Sequence, residues 1–148
     1  MTRRPFAAAL LFLAACSSAA QAATYQMFRD PYCGCCELWA DHVRSGNEVT
    51  ITETVTSEMA RIKQDQRIPQ DLWSCHTMIV DGYIIEGHVP AEQIERLLEE
   101  RPEGVRGLAV AGMPIGSPGM EMGDRKQPYQ VIAFGDEGRF VFASYNAS

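Results

Sequence analysis

Three cysteines within four residues, Cys33-Gly34-Cys35-Cys36, stand where a predicted strand meets a predicted helix. Residues 24–28 read as the strand, and residues 29–32 as a turn containing Pro31. From residue 35 to 45 the apolar side chains Leu38, Trp39 and Val43 fall at helical spacing, and Gly46-Asn47 ends the helix. Thiols at a helix start face free backbone N–H groups and the positive end of the helix dipole. Both favour the thiolate, which is a nucleophile and a soft-metal ligand. The chain must therefore build a fold around a reactive strand-to-helix junction.

The remaining pattern supplies that fold. Residues 48–55 are rich in β-branched side chains and read as a second strand. Ser57 is placed to cap a short helix carrying Met59 and Ile62, which ends before Ile68-Pro69. Residues 77–80 and 83–86 flank Asp81-Gly82, a strong hairpin signal. Pro90 opens a helix with Ile94, Leu97 and Leu98 on one face, and Pro102 lies just past its end. Residues 103–123 are rich in Gly, Pro and Met and show no period, so a long irregular loop is expected. Residues 129–134 and 139–145 form a last hairpin. The order β-α-β-α-β-β-α matches a thioredoxin-like α/β sheet with flanking helices, to which a Met-rich loop and a C-terminal β-hairpin are added. In that layout Ser74-Cys75-His76-Thr77 and Gly87-His88-Val89-Pro90 approach the Cys33–Cys36 junction.

The N-terminus reads as a targeting segment. A short basic stretch (Arg3, Arg4) precedes an uncharged apolar run over residues 6–15, too short to span a bilayer. Leu13-Ala14-Ala15-Cys16 resembles a lipobox, which would make 1–15 the signal and Cys16 a lipidated N-terminus. Ala20-Gln21-Ala22 offers ordinary cleavage after residue 22. The lipoprotein reading is preferred, and Thr2-Arg3-Arg4-Pro5-Phe6 reads as a plain basic region rather than a twin-arginine signal. Either route predicts export to the periplasm or cell envelope and a single domain over residues 24–148. Membrane attachment is expected only through a lipid anchor. Either route also sets Cys16 apart, leaving Cys33, Cys35, Cys36 and Cys75 of the five cysteines in the fold.

The net charge of −6 provides no phosphate-neutralising surface, so nucleic-acid binding is not expected. A dithiol redox site needs two cysteines, and a third beside them invites scrambling. A metal site gains from each added thiolate. Cys75 adds a fourth, and His76 and His88 add imidazoles. His42 lies too far along its helix to join them and reads as structural, and Trp39 and Trp73 read as core. Met113, Met120 and Met122 lie in a segment whose glycines and prolines prevent a helix. Thioethers suit Cu(I) and are rarely used for zinc. The expected ligand is therefore copper, as Cu(I), with enough soft donors for more than one ion and with zinc disfavoured. The expected metal ligands are Cys33, Cys35, Cys36, Cys75, His76, His88, Met113, Met120 and Met122. Two other readings stand beside this one. A thiol–disulfide oxidoreductase would use Cys33 to attack and Cys36 to resolve. A disulfide-stabilised binding module would use the cysteines as staples.

Taken jointly, the motifs resemble a known family. Pro31-Tyr32-Cys33-Gly34-Cys35-Cys36, Trp39, His42, Ser74-Cys75-His76-Thr77, the stretch from Gly82 to Pro90, Gly107-Leu108-Ala109-Val110, and Gly112-Met113-Pro114 through Met120-Glu121-Met122-Gly123 resemble the CopG-like family, also known as domain of unknown function 411. The resemblance runs from about Tyr25 to Tyr145. It implies a periplasmic thioredoxin-like protein of copper resistance that binds copper through its cysteine cluster. Copper ions are its implied partners, together with other envelope copper-handling proteins.

Overall fold

The computed structural model describes residues 24–47 and 49–146. The targeting segment, with Cys16, lies outside the described residues. The described chain forms one seven-stranded sheet in the order β2-β1-β3-β4-β5-β6-β7. Strand β1 (Tyr25–Arg29), helix α1 (Gly34–Asn47) and strand β2 (Ile51–Val55) make a crossover, with β1 and β2 parallel. Helix α2 (Met59–Asp65) and a 3₁₀ turn (Gln70–Leu72) lead to the antiparallel hairpin β3 (His76–Val80) and β4 (Tyr83–Glu86). Helix α3 (Ala91–Glu100) then crosses to β5 (Gly107–Ala109), parallel to β4. Strands β6 (Tyr129–Gly135) and β7 (Gly138–Tyr145) complete the sheet.

Period-two alternation gives the sheet two apolar faces. Ile85 and Leu108 join the larger core with Met27, Met78 and Val131. Their neighbours Ile84 and Ala109 join a smaller core with Ile68, Leu72 and Phe134. Helix α1 buries Cys36, Trp39, Ala40 and Val43, one stripe at helical spacing, and α3 buries Ala91, Ile94 and Leu97. The two helices pack against each other over the larger core. Each fully buried Leu or Ile there contributes about 1.5–3 kcal/mol. Helix α3 stops where Arg101 turns left-handed (φ 42°), just before Pro102.

Two expectations are corrected. Residues 103–123 are not irregular throughout, because Gly107-Leu108-Ala109 forms β5. It is only three residues long, too short to show a period, but it is fully buried between β4 and β6. The added C-terminal hairpin, β6 and β7, is joined to the main sheet through β5. Ser57 does not cap α2. Its N-cap position is Glu58, whose backbone N–H bonds the Thr56 hydroxyl at 3.1 Å.

Candidate metal centre

The turn after β1 and the first turn of α1 bring three sulfurs together. The Cys33 N–H bonds the Asp30 carbonyl at 3.2 Å and the Cys36 N–H bonds the Cys33 carbonyl at 3.3 Å. Cys33 and Cys36 are joined as a disulfide, with Cα atoms 5.4 Å apart. The structure thus differs from the expected set of four free thiols. Spacing alone could not reveal this, since C-x-x-C geometry serves both states. Cys35 and Cys75 remain free and half-buried. Cys35 Sγ lies 3.5 Å from Cys33 Sγ and 3.9 Å from Cys75 Sγ.

Cys75 comes from the segment that enters β3, and β3 lies beside β1 in the sheet. That pairing carries Cys75 and His76 to the cysteine cluster across 40 residues of sequence. His88 follows β4, the next strand over. Cys75 Sγ lies 3.4 Å from His76 Nδ1 and 3.1 Å from His88 Nε2. His76 and His88 are both fully buried, and their ring centroids are 5.1 Å apart. Ligand atoms of Cys33, Cys35, Cys36 and Cys75 fall within 4.8 Å of one another, as do those of Cys75, His76 and His88. Cys75 belongs to both groups.

The electrostatics keep the imidazoles neutral. Burial lowers the His88 pKa, and His88 Nδ1–H donates to the Pro118 carbonyl at 2.8 Å. A carbonyl can only accept, so the Nε2 lone pair faces Cys75. Burial, with His88 and Lys63 nearby, pushes His76 well below its ordinary value. His76 Nε2 is buried without a hydrogen-bond partner. Burial and the neighbouring Cys35 push the Cys75 thiol up to about 12. A metal must therefore displace the Cys75 proton, and its binding will release protons.

A soft metal fits this donor set: thiols in contact, two neutral imidazoles, one with its second nitrogen anchored by a carbonyl and the other with a nitrogen unpaired. The methionines are placed differently. Met113 and Met122 are half exposed (51% and 50%), and Met120 is partly buried. Their loop reaches the site through its backbone. Ser117, Pro118 and Gly119 are buried. Gly119 has φ +80°, and a Cβ there would sit 2.7 Å from both the Cys35 carbonyl oxygen and the Trp39 nitrogen.

His42 has the structural part expected of it, its Nε2 accepting the Ala91 N–H at 3.1 Å. Trp39 is wholly buried, with its Nε1–H on the Val89 carbonyl at 2.8 Å. Its ring also lies 4.2 Å from that of His76, a contact the sequence reading missed. Also missed was Glu86, wholly buried and bonded to Lys63, Thr77 and Ser74. A carboxylate closing the apolar run Tyr83-Ile84-Ile85 was the available signal.

A family model described as "Protein of unknown function, DUF411" matches residues 72–120. Two solved structures of copper resistance protein CopG are similar to this chain. Form 2 is 40% identical with a TM-score of 0.79, the match covering 84% of this chain and 99% of that one. Form 1 is 42% identical with a TM-score of 0.78, covering 83% and 97%. No curated protein matches. At this identity and coverage, the chain belongs to the CopG-like DUF411 family.

Proposed function

We propose that the protein binds copper, as Cu(I), through Cys33, Cys35, Cys36 and Cys75 with His76 and His88, and serves copper resistance in the cell envelope. The observation that carries this reading is the position of Cys75, shared between a group of four sulfurs and a Cys–His–His group. Softness of the donors favours copper. Thiolate and imidazole alone would also suit zinc, and Met113, Met120 and Met122 are proposed as the further donors that tilt the choice. The copper resistance proteins similar to this chain support the same ion. A thioredoxin-like core is supported by the β1-α1-β2 crossover beside β3, β4 and α3, with β5 to β7 extending the sheet. Export is supported by the N-terminal sequence, through either a cleaved signal or lipidation at Cys16. No helix of the described residues is long and apolar enough to cross a membrane.

The Cys33–Cys36 disulfide favours a second reading, thiol–disulfide exchange. In that exchange a partner dithiol supplies the two electrons and two protons that return Cys33 and Cys36 to thiols, and is itself left as a disulfide. The two readings share one condition, since Cys33 and Cys36 can ligate metal only when reduced. Bound copper would supply a one-electron couple, while the chain supplies sulfur and neutral imidazole and shields them from water. The test is competition between copper and zinc buffered to equal free concentrations under a reductant that does not bind metal. Copper retention is expected, and retention of zinc without copper would reject the reading.

A further inference from the structure

Behind the Cys75–His88 pair lies a buried ion pair that no ligand role accounts for. Glu86 is wholly buried, and Lys63 is 3% exposed. Lys63 Nζ donates to Glu86 Oε1 at 2.5 Å and to Thr77 Oγ1 at 3.0 Å. The Thr77 hydroxyl donates to Glu86 Oε2 at 2.7 Å. The Ser74 backbone N–H donates to Glu86 Oε1 at 2.6 Å. One carboxylate thus takes donors from α2, from β3 and from the segment before β3.

Stability alone is a poor reason for this arrangement. Removing two charges from water costs much of what their attraction returns, and an apolar pair of like volume often serves as well. An apolar residue cannot accept the Ser74 N–H, however. Ser74 precedes Cys75, Thr77 follows His76, and Glu86 stands two residues before His88. The chain segments carrying all three residues are therefore fastened at one carboxylate. Ser74 is held from other sides too. Its hydroxyl donates to the Gly112 carbonyl, and a Cβ on Gly87 (φ +72°) would meet the Ser74 side chain at 2.5 Å.

We propose that Glu86 is a positioning residue for the Cys75–His76–His88 group, holding Cys75 through the Ser74 N–H, with Lys63 as the counter-charge that keeps the carboxylate in the interior. The claim rests on the copper reading above only for its functional consequence, because the positioning itself exists without metal.

Two double variants separate positioning from charge. E86Q/K63M removes both charges and keeps an acceptor for Ser74. E86L/K63M removes the acceptor as well. Cys75 labelling by iodoacetamide is followed by mass spectrometry in reduced, metal-free protein, and Cu(I) affinity by competition with a chromophoric chelator. E86L/K63M is expected to label Cys75 severalfold faster and to lose at least about tenfold in affinity, the usual scale for groups that orient ligands. E86Q/K63M should match the wild type on both. If E86L/K63M does not fold, E86D takes its place, since it keeps the charge but withdraws the acceptor by one methylene. Equal Cys75 labelling in the acceptor-keeping and acceptor-lacking variants overturns the proposal. Absence of Cu(I) binding by the wild type would reject the copper reading instead, and the labelling rates would still decide the positioning claim.

Discussion

Cys75 Sγ stands 3.1 Å from His88 Nε2, while the far nitrogen of the same ring is fixed 2.8 Å from the Pro118 carbonyl. This relationship ties the sulfur cluster to the Met-bearing loop through one imidazole. It also predicts that the loop governs the site by backbone contact. Gly119→Ala should act on the site without altering any proposed ligand side chain. Its φ of +80° disfavours any side chain, and the new Cβ would press on Cys35 and Trp39 backbone atoms of α1. The Pro118 carbonyl would move, and the copper affinity of the folded variant should fall about 10–100-fold, as for other losses of an orienting partner. Competition titration with a Cu(I) chelator checks this, and wild-type affinity in a folded Gly119→Ala protein would count against it.

The cysteines give a sharper division between the two chemical readings. Cys35 is free, and its sulfur lies within 4 Å of those of both Cys33 and Cys75. Cys35→Ser should lower copper loading while leaving Cys33 and Cys36 able to form their disulfide. Metal content and thiol titration on one sample measure both. Unchanged copper content would remove the main support for a cluster that uses Cys35.

The three methionines are expected to tune the site. Leu matches Met in volume and apolarity, and such exchanges usually cost less than about 1.5 kcal/mol. Met113 and Met122 are half exposed, which lowers any packing cost further. Replacing Met113, Met120 and Met122 together with Leu should reduce copper affinity or stoichiometry and barely move the thermal midpoint of the metal-free protein. Unchanged copper binding with a large stability loss would show that these side chains only pack.

Acid stability depends on a separate group of charges. Burial raises the Glu53 pKa, but Arg29 and Arg44, which both bond its carboxylate, bring it below the ordinary 4.5. A lowered folded-state pKa contributes stability above the unfolded value, and that stability is lost as pH falls through the folded value. Glu53→Gln should therefore be less stable than the wild type at neutral pH. The gap should narrow once pH drops below about 4.5, which thermal melts across pH 3–7 would show. A gap that stays constant with pH would mean that the ion pairs contribute nothing.

Much of this architecture was legible in the sequence because local chemistry and global fold agree. The Asp81-Gly82 turn and the apolar stripe of α1 gave their elements directly, and the chain order then placed Cys75, His76 and His88 beside the cysteine cluster. β5 was not legible, because three residues carry no period and its strand state comes from neighbours on both sides. The disulfide was not legible either, since the same C-x-x-C spacing serves a dithiol, a disulfide and a metal site. Glu86 was hidden for a different reason. A carboxylate in a strand reads as solvent-facing until the fold reveals the lysine of α2 opposite it.

X-ray absorption at the copper edge of the reduced, copper-loaded protein tests the central claim most directly. The account predicts a sulfur-dominated first shell with an imidazole contribution, and a loss of sulfur scattering in Cys75→Ser. A shell of oxygen and nitrogen alone, or one unaltered by Cys75→Ser, would contradict it.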